Sequence, residues 1–152
     1  RRLQYQRCGR FALLDDTATH PDALCVLFDV VAGLRRNRVH LVAAIRGGRG
    51  VELNRRYGET IAIWSRRLRF DSLTATSSRE AVDAANRVAD DEREAFLDAL
   101  RVGGVDVVHH DRLDDAIRHT LDRISDRDLL VLIGTQGMHG GAELVRRWAE
   151  GG

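Results

Sequence analysis

The chain has 152 residues, of which 43% are hydrophobic and 31% charged, enough apolar material for one globular domain with a full core and too much for a disordered or fibrous segment. Twenty-four basic residues against twenty-three acidic ones leave a formal charge of +1, which gives no basic footprint for nucleic acid or a membrane surface. Cys8 and Cys25 are too few for a disulfide framework or a zinc site, and no signal peptide or long apolar span is present, so a reduced, cytoplasmic setting is expected.

Taken in chain order, Leu3 to Arg7 before the Cys8-Gly9 turn reads as an edge strand that hairpins, antiparallel, onto Phe11 to Leu14. Pro21 to Leu34 carries Leu24, Leu27, Phe28 and Val31 at three-and-four spacing, which predicts a helix with one face on a sheet. Val39 to Ile45 is the next strand, and Leu53 to Leu68, with Tyr57, Ile61, Trp64 and Leu68, the next helix. Phe70 to Thr76 follows as a strand. Arg79 to Val102 reads as helical with a break at Asp90-Asp91. Val105 to Val108 is a strand, and Leu113 to Ile124 a helix whose N-cap is assigned to Asp111, with Asp114 and Asp115 in its first turn. Leu129 to Ile133 is the last strand. Alternation at this spacing implies parallel strands joined by right-handed crossovers: a three-layer, Rossmann-like α/β domain with a mostly parallel sheet of about six strands, one of them an antiparallel edge strand, spanning residues 1–152.

In a parallel sheet the residues after each strand converge on one edge, where helix N-termini add free N–H groups and ligands collect. Here that set is Asp15, Asp16, Thr17, Thr19 and His20; Arg46 to Gly50; Ser77, Ser78 and Arg79; His109, His110 and Asp111; and Gly134, Thr135, Gln136 and His139. A phosphate-bearing ligand is the first expectation. Arg46-Gly-Gly-Arg-Gly50 is a Gly-rich turn that can bring an anion to backbone N–H groups, although it lacks Gly-x-Gly-x-x-Gly spacing. All the basic residues are Arg, so no P-loop or Schiff-base lysine can come from this chain. His109 and His110, adjacent on a strand, point to opposite faces and cannot readily share one ion, so no metal site is expected.

In order, these loops resemble the C-terminal domain of the Mur ligase superfamily, the ATP-dependent amide ligases that include muramyl-peptide ligases, folylpolyglutamate synthase and cyanophycin synthetase. Asp16-Thr-Ala-Thr-His-Pro-Asp22 is similar to the family's Asp-Tyr-Ala-His-x-Pro-Asp. Ala44-Ile-Arg-Gly-Gly-Arg49, with Gly58 and Ile61-Ala62 beyond, is similar to its Gly-rich strand-loop and Gly-x-Ile-Ala helix. Thr74 to Arg79 falls where amino-acid-adding ligases carry Thr-Ser-Asp-Asn-Pro-Arg, Asp111-Arg112 and Ala116-Ile117 repeat Asp-Arg-x-x-Ala-Ile, and Leu130 to Gly137 falls on the strand leading to Gly-Lys-Gly-His-Glu. The family His falls on Thr19, with His20 one place later, Gly48 replaces the Asp before Arg49, and the Lys and Glu of the last loop are absent.

The resemblance implies a third domain, excised or naturally separate, that completes the ATP site of a central domain supplied in cis or in trans and binds the incoming amino acid. Its reaction joins a carboxylate to an amine through an acyl phosphate. ATP and Mg²⁺ are then held mainly by the central domain, and this chain alone has no catalytic residue. Residue by residue it implies Asp16, Thr19 and His20 at the nucleotide, and Arg49, Ser77, Ser78, Arg79, Gln136 and His139 at the substrate. Two other classes stay open: a haloacid-dehalogenase-like phosphoryl-transfer enzyme using Asp15 of Asp15-Asp-Thr-Ala-Thr19, and a non-catalytic ligand-binding module.

Overall fold

Every residue of Leu129–Ile133 is buried, because this strand lies in the middle of the sheet and sends alternate side chains into two separate cores. Residues 1–151 are described in the computed structural model. The sheet has six strands: β1 (Gln4–Cys8), β2 (Phe11–Asp16), β3 (Val39–Ala44), β4 (Ser72–Thr76), β5 (Val108–His110) and β6 (Leu129–Ile133), in the spatial order β1-β2-β6-β3-β4-β5. The β1–β2 pair is antiparallel, with Gln4 opposite Asp15, and every other pair is parallel.

Helices α1 (Pro21–Gly33), α2 (Val51–Leu68) and α3 (Asp90–Val102) cover one face, burying Phe28, Tyr57, Ile61 and Phe96 against Leu14, Leu41, Val131 and Ile133. Helices α4 (Leu113–Leu121) and α5 (Gly141–Gly151) cover the other, where Ile117 and Val145 meet Leu13, Val42, Leu130 and Leu132. The chain order explains this division. From β2 through β5 the parallel strands advance in one direction across the sheet, so right-handed crossovers place α1, α2 and α3 together; the return from β5 to β6 runs the opposite way and puts α4 on the far side. At Gly58 helix α2 comes so close to α3 that a Cβ would stand 2.6 Å from the Phe96 carbonyl oxygen, so a glycine is required there.

The six strands, the antiparallel edge and the helices on both faces agree with the sequence expectation. Three local expectations are corrected. Residues 79–89 are not helical: Ser78 takes φ 51°, and the chain then runs as a loop with a 3₁₀ turn at Ala84–Asn86, capped by Asp83 Oδ1 on the Asn86 N–H at 3.1 Å. The fifth strand is Val108–His110 and not Val105 to Val108, because Val105 and Val107 pack on the core while pairing with β4 begins only at Thr74 opposite Val108. The N-cap of α4 is Arg112, and the free N–H groups of Leu113 and Asp114 are satisfied from another loop by Glu80 Oε1, at 2.6 and 3.3 Å, in place of Asp111. Among the described residues no helix is long and apolar enough to cross a membrane.

At the strand starts, His40 and Asp128 are fully buried polar groups. His40 Nδ1 lies 2.8 Å from Ser72 Oγ and its Nε2 2.9 Å from Asp128 Oδ2, while Asp128 also accepts from the N–H groups of Arg38 and Ser125. Burial pushes the Asp128 carboxyl pKa up, but the bonds from Ser125, His40 and Arg38 outweigh it and hold it below the ordinary value. The cluster ties the starts of β3, β4 and β6 together. Asp128→Ala is expected to cost about 3–5 kcal/mol, since it strands His40 and two N–H groups in the interior. Because the folded pKa is depressed, Asp128 stabilises fully above the unfolded value of about 3.9 and loses its effect as pH falls through the folded one. Urea unfolding of both proteins at neutral and acid pH checks this: the difference must shrink on acidification.

Candidate functional site

The C-terminal ends of β2, β3, β4 and β6 meet at one edge of the sheet, and the backbone ladder continues past them into the loops. Ile45 donates to the Thr76 carbonyl, Ser77 to His110, Arg79 to Asp111 and Gly134 to Asp16. The loops are therefore carried on a rigid frame.

Asp15 and Asp16, each 1% exposed, end β2. Arg1 grips Asp15 as a fork, Nε to Oδ2 and Nη2 to Oδ1 both at 3.0 Å, and donates as well to the carbonyls of Gly134 and Thr135. Asp16 accepts from the N–H groups of Ala18 at 2.9 Å and Leu3 at 3.1 Å, with Arg2 Nε at 3.4 Å. Both carboxylates thus organise the turn from inside. Next in the chain, buried Thr19 accepts from Arg46 Nη1 at 2.7 Å, and exposed His20 caps α1 by accepting from the Asp22 N–H at 3.3 Å. Partial burial, then the charge of Arg49, lowers the Arg46 pKa from its usual value.

The Gly-rich turn holds an anion, and that anion is the protein's own. Glu92 reaches across from α3 and accepts from the N–H groups of Gly48 (3.1 Å), Arg49 (2.8 Å) and Gly50 (2.7 Å), and from Ala89 (3.0 Å) at its own helix start. Burial pushes its pKa up, but these backbone bonds dominate and keep the carboxyl below its ordinary value. Gly47 packs so tightly that a Cβ would fall on the Asn86 carbonyl. The turn, α3 and the Ala84–Asn86 segment therefore form one unit, from which the exposed Arg49 projects.

On the β4 side, Ser77 Oγ lies 2.8 Å from His109 Nε2, buried Ser78 donates to the Gly137 carbonyl, and Arg79 is exposed. Beyond β6, Gln136 and His139 are exposed at the edge. A cleft of about 510 Å³ opens here, lined among others by Arg1, Thr17, Asn86, Thr135, Gln136 and His139. Of the residues that the resemblance assigns to nucleotide or substrate, Gln136 and His139 share this cleft, beside Thr17 and Thr135 of the expected edge set. Thr19 lies beside Arg46, Ser78 is tucked beneath the last loop, and His20, Arg49 and Arg79 stand outside the cleft lining. Arg1, Asn86 and Glu92 were missed, and Arg46, expected in the Gly-rich turn, turns out to donate to Thr19. Asn86 lay inside an expected helix, and nothing local marks a carboxylate that bonds to N–H groups more than forty residues earlier. A larger cavity of about 660 Å³ near Phe11 and Trp148 sits at the other end of β2, away from these loops.

A three-layer α/β sheet with ligand-type loops gathered at its C-terminal edge defines a broad class, and the sequence narrows it. The family model described as Mur ligase, glutamate ligase domain matches residues 1–136, and the chain belongs to that family. No curated protein sequence matches it. Among solved structures, Escherichia coli FolC in complex with ADP is similar at 18% identity and TM-score 0.66, over 99% of this chain and 32% of that one. The murein peptide ligase Mpl of Psychrobacter arcticus is similar at 15% identity and TM-score 0.66, over 98% and 29%. A domain attributed to a UDP-N-acetylmuramate:L-alanyl-γ-D-glutamyl-diaminopimelate ligase of Haemophilus ducreyi matches at 13% identity and TM-score 0.64, over 97% and 99%. At these identities the likeness shows the fold. The chain spans about a third of the length of the first two ligases.

Glu92→Gln is expected to destabilise the protein by about 1.5–3 kcal/mol, because an amide presents an N–H₂ to backbone donors and removes the charge from four bonds. The Glu92 contribution is complete above the unfolded pKa of about 4.3 and fades as pH falls through the lower folded value. Denaturant unfolding of variant and parent across that range checks both size and sign.

Proposed function

We infer that the chain is the third domain of an ATP-dependent ligase that joins a carboxylate to the amine of an amino acid, acting with a central ATPase domain in cis or in trans. The observation that carries the reading is the cleft at the C-terminal edge, where Thr17, Asn86, Gln136 and His139 converge in a chain whose first 136 residues match the family. A hydroxyl, two amides and an imidazole offer several donors and acceptors, and the one carboxylate in the lining, Asp83, already accepts from the Asn86 N–H and Nδ2; such a polar lining suits part of a nucleotide or the polar end of an amino acid.

In this reading Asp16, Thr19 and His20 form the nucleotide side. Asp16 acts through the turn it holds, Thr19 with Arg46 offers a hydroxyl and a guanidinium to phosphate oxygens, and His20 at the start of α1 adds an imidazole where the helix presents free N–H groups. Arg49, Ser77, Ser78, Arg79, Gln136 and His139 form the substrate side, with the exposed Arg49 and Arg79 free to fork onto a carboxylate. ATP, when bound, supplies the phosphoryl group that activates the acid. Among the described residues no three His, Cys, Asp or Glu side chains are grouped to hold a metal ion, so magnesium ligands would come from the partner domain. Docking of the two domains would close the cleft against water. The setting is cytoplasmic.

The phosphoryl-transfer alternative needs a free oxygen on Asp15. Both oxygens lie in the Arg1 fork and the side chain is buried, which favours a structural part for Asp15.

In the protein that contains this chain together with its ATPase domain, Gln136→Ala and His139→Ala are each expected to lower kcat/KM for amide formation about tenfold, roughly 1.4 kcal/mol, with unfolding unchanged because both side chains are exposed. The chain alone, given ATP, Mg²⁺ and mixed amino acids, is expected to release no phosphate. Release that disappears in Asp15→Asn would replace this reading with the phosphoryl-transfer one.

A further inference from the structure

At the opposite edge of the sheet, where β2, β3 and β6 begin, a second cleft of about 360 Å³ is lined by Arg7, Arg10, Arg35, Arg36 and Arg127, with Asp128 as its one acidic residue. Asp128 is already committed to His40, Ser125 and Arg38, and Arg10 pairs weakly with Asp126 at 3.6 Å. Arg7, Arg35, Arg36 and Arg127 pair with no carboxylate among the described residues, and the Nε of Arg36 is buried without a hydrogen-bond partner. In a chain whose charges almost cancel, five guanidiniums around one small cleft are a local excess that repels itself unless an anion enters. The C-terminal dipole of α1 accounts for basic residues at Arg35 and Arg36, but Arg7 comes from β1 and Arg127 from the turn before β6.

The arginines also stand on a fixed frame. Arg127 adopts φ 63°, a conformation that L residues rarely take, and it is held there by donating its N–H to the Arg10 carbonyl at 2.7 Å while its own carbonyl accepts from Asn37 at 2.8 Å. Asn37 Nδ2 closes the set on the Asp126 carbonyl at 2.9 Å. Three loops are laced together in a way that brings like charges near one another, at a conformational cost.

We propose that this cleft binds a diphosphate group, free or as part of a nucleotide. A guanidinium fork matches a pair of phosphate oxygens, and a diphosphate offers enough oxygens and charge for several arginines, whereas a carboxylate would neutralise one. The small volume favours a compact anion over a polymer tracking across the surface. The site is separate from the cleft of Gln136 and His139, so its fate does not depend on the ligase reading.

Calorimetric titration of the full chain with pyrophosphate, and in parallel with ADP, tests it. Arg36→Gln and Arg127→Gln are each expected to weaken pyrophosphate binding about tenfold, with Arg147→Gln on the far face unchanged and affinity falling as salt rises. Arg7→Gln, on the exposed edge strand, supplies the same readout if either variant fails to fold. Equal affinity for the two ligands assigns the free diphosphate, and tighter ADP binding sensitive to the same variants assigns the nucleotide. No measurable binding, equal loss in Arg147→Gln, or preference for a single-stranded oligonucleotide over pyrophosphate would overturn the proposal.

Discussion

A strand that is apolar at every position has to be covered on both faces, and β6 imposes that demand on the whole chain. Leu129, Val131 and Ile133 go to one core, Leu130 and Leu132 to the other, so neither helical layer can be dispensed with. The parallel pairing of β6 with both β2 and β3 then decides which loops become neighbours. Gly134 to His139 sits beside Asp15 to His20 and Arg46 to Gly50 because their strands are adjacent, although the first and last of these loops lie more than a hundred residues apart in the chain. The gathering of polar groups at one edge is thus a result of core burial.

That edge is unusually self-contained electrostatically. Asp15 sits in the Arg1 fork, Asp16 in two N–H groups, Glu80 on the start of α4 and Glu92 in the Gly-rich turn. Asp16, Glu80 and Glu92 each place a carboxylate where a free anion would otherwise be drawn by backbone donors. Exposed beside them stand Arg49, Arg79, Gln136 and His139. At the other edge the same division is more pronounced, with Asp128 enclosed and five arginines around the opening.

Much of the architecture was legible in the sequence because burial on both faces leaves an apolar run, as in Val39 to Ile45 and Leu129 to Ile133, and burial on one face leaves a helical stripe, as in α1 and α4. The segment after Ser78 was not. Glu80, Ala81, Ala84 and Ala85 are all compatible with a helix, and what prevents one is tertiary: the left-handed backbone at Ser78 and the close seat of Asn86 on Gly47. The end of the fifth strand was displaced for a similar reason, since Val105 and Val107 supply an apolar pattern while β4 determines where pairing starts. In the site, residue types could be read and their employment could not. The Gly-rich turn announced an anion, and only the fold shows that Glu92 occupies it.

The two outer strands bear on how copies of this chain behave when crowded. β5 offers three residues, between Asp106 and Asp111, and β1 offers five, in the sequence Gln-Tyr-Gln-Arg-Cys, where Gln6 is taken by Arg146 and Leu3 turns into the left-handed region just before the strand begins. The one edge is too short and the other too polar to serve as a template for another sheet. The wholly apolar strand that would aggregate if exposed, β6, is kept inside the sheet between β2 and β3. Resistance to edge-to-edge assembly therefore follows from the order of the strands as much as from their composition.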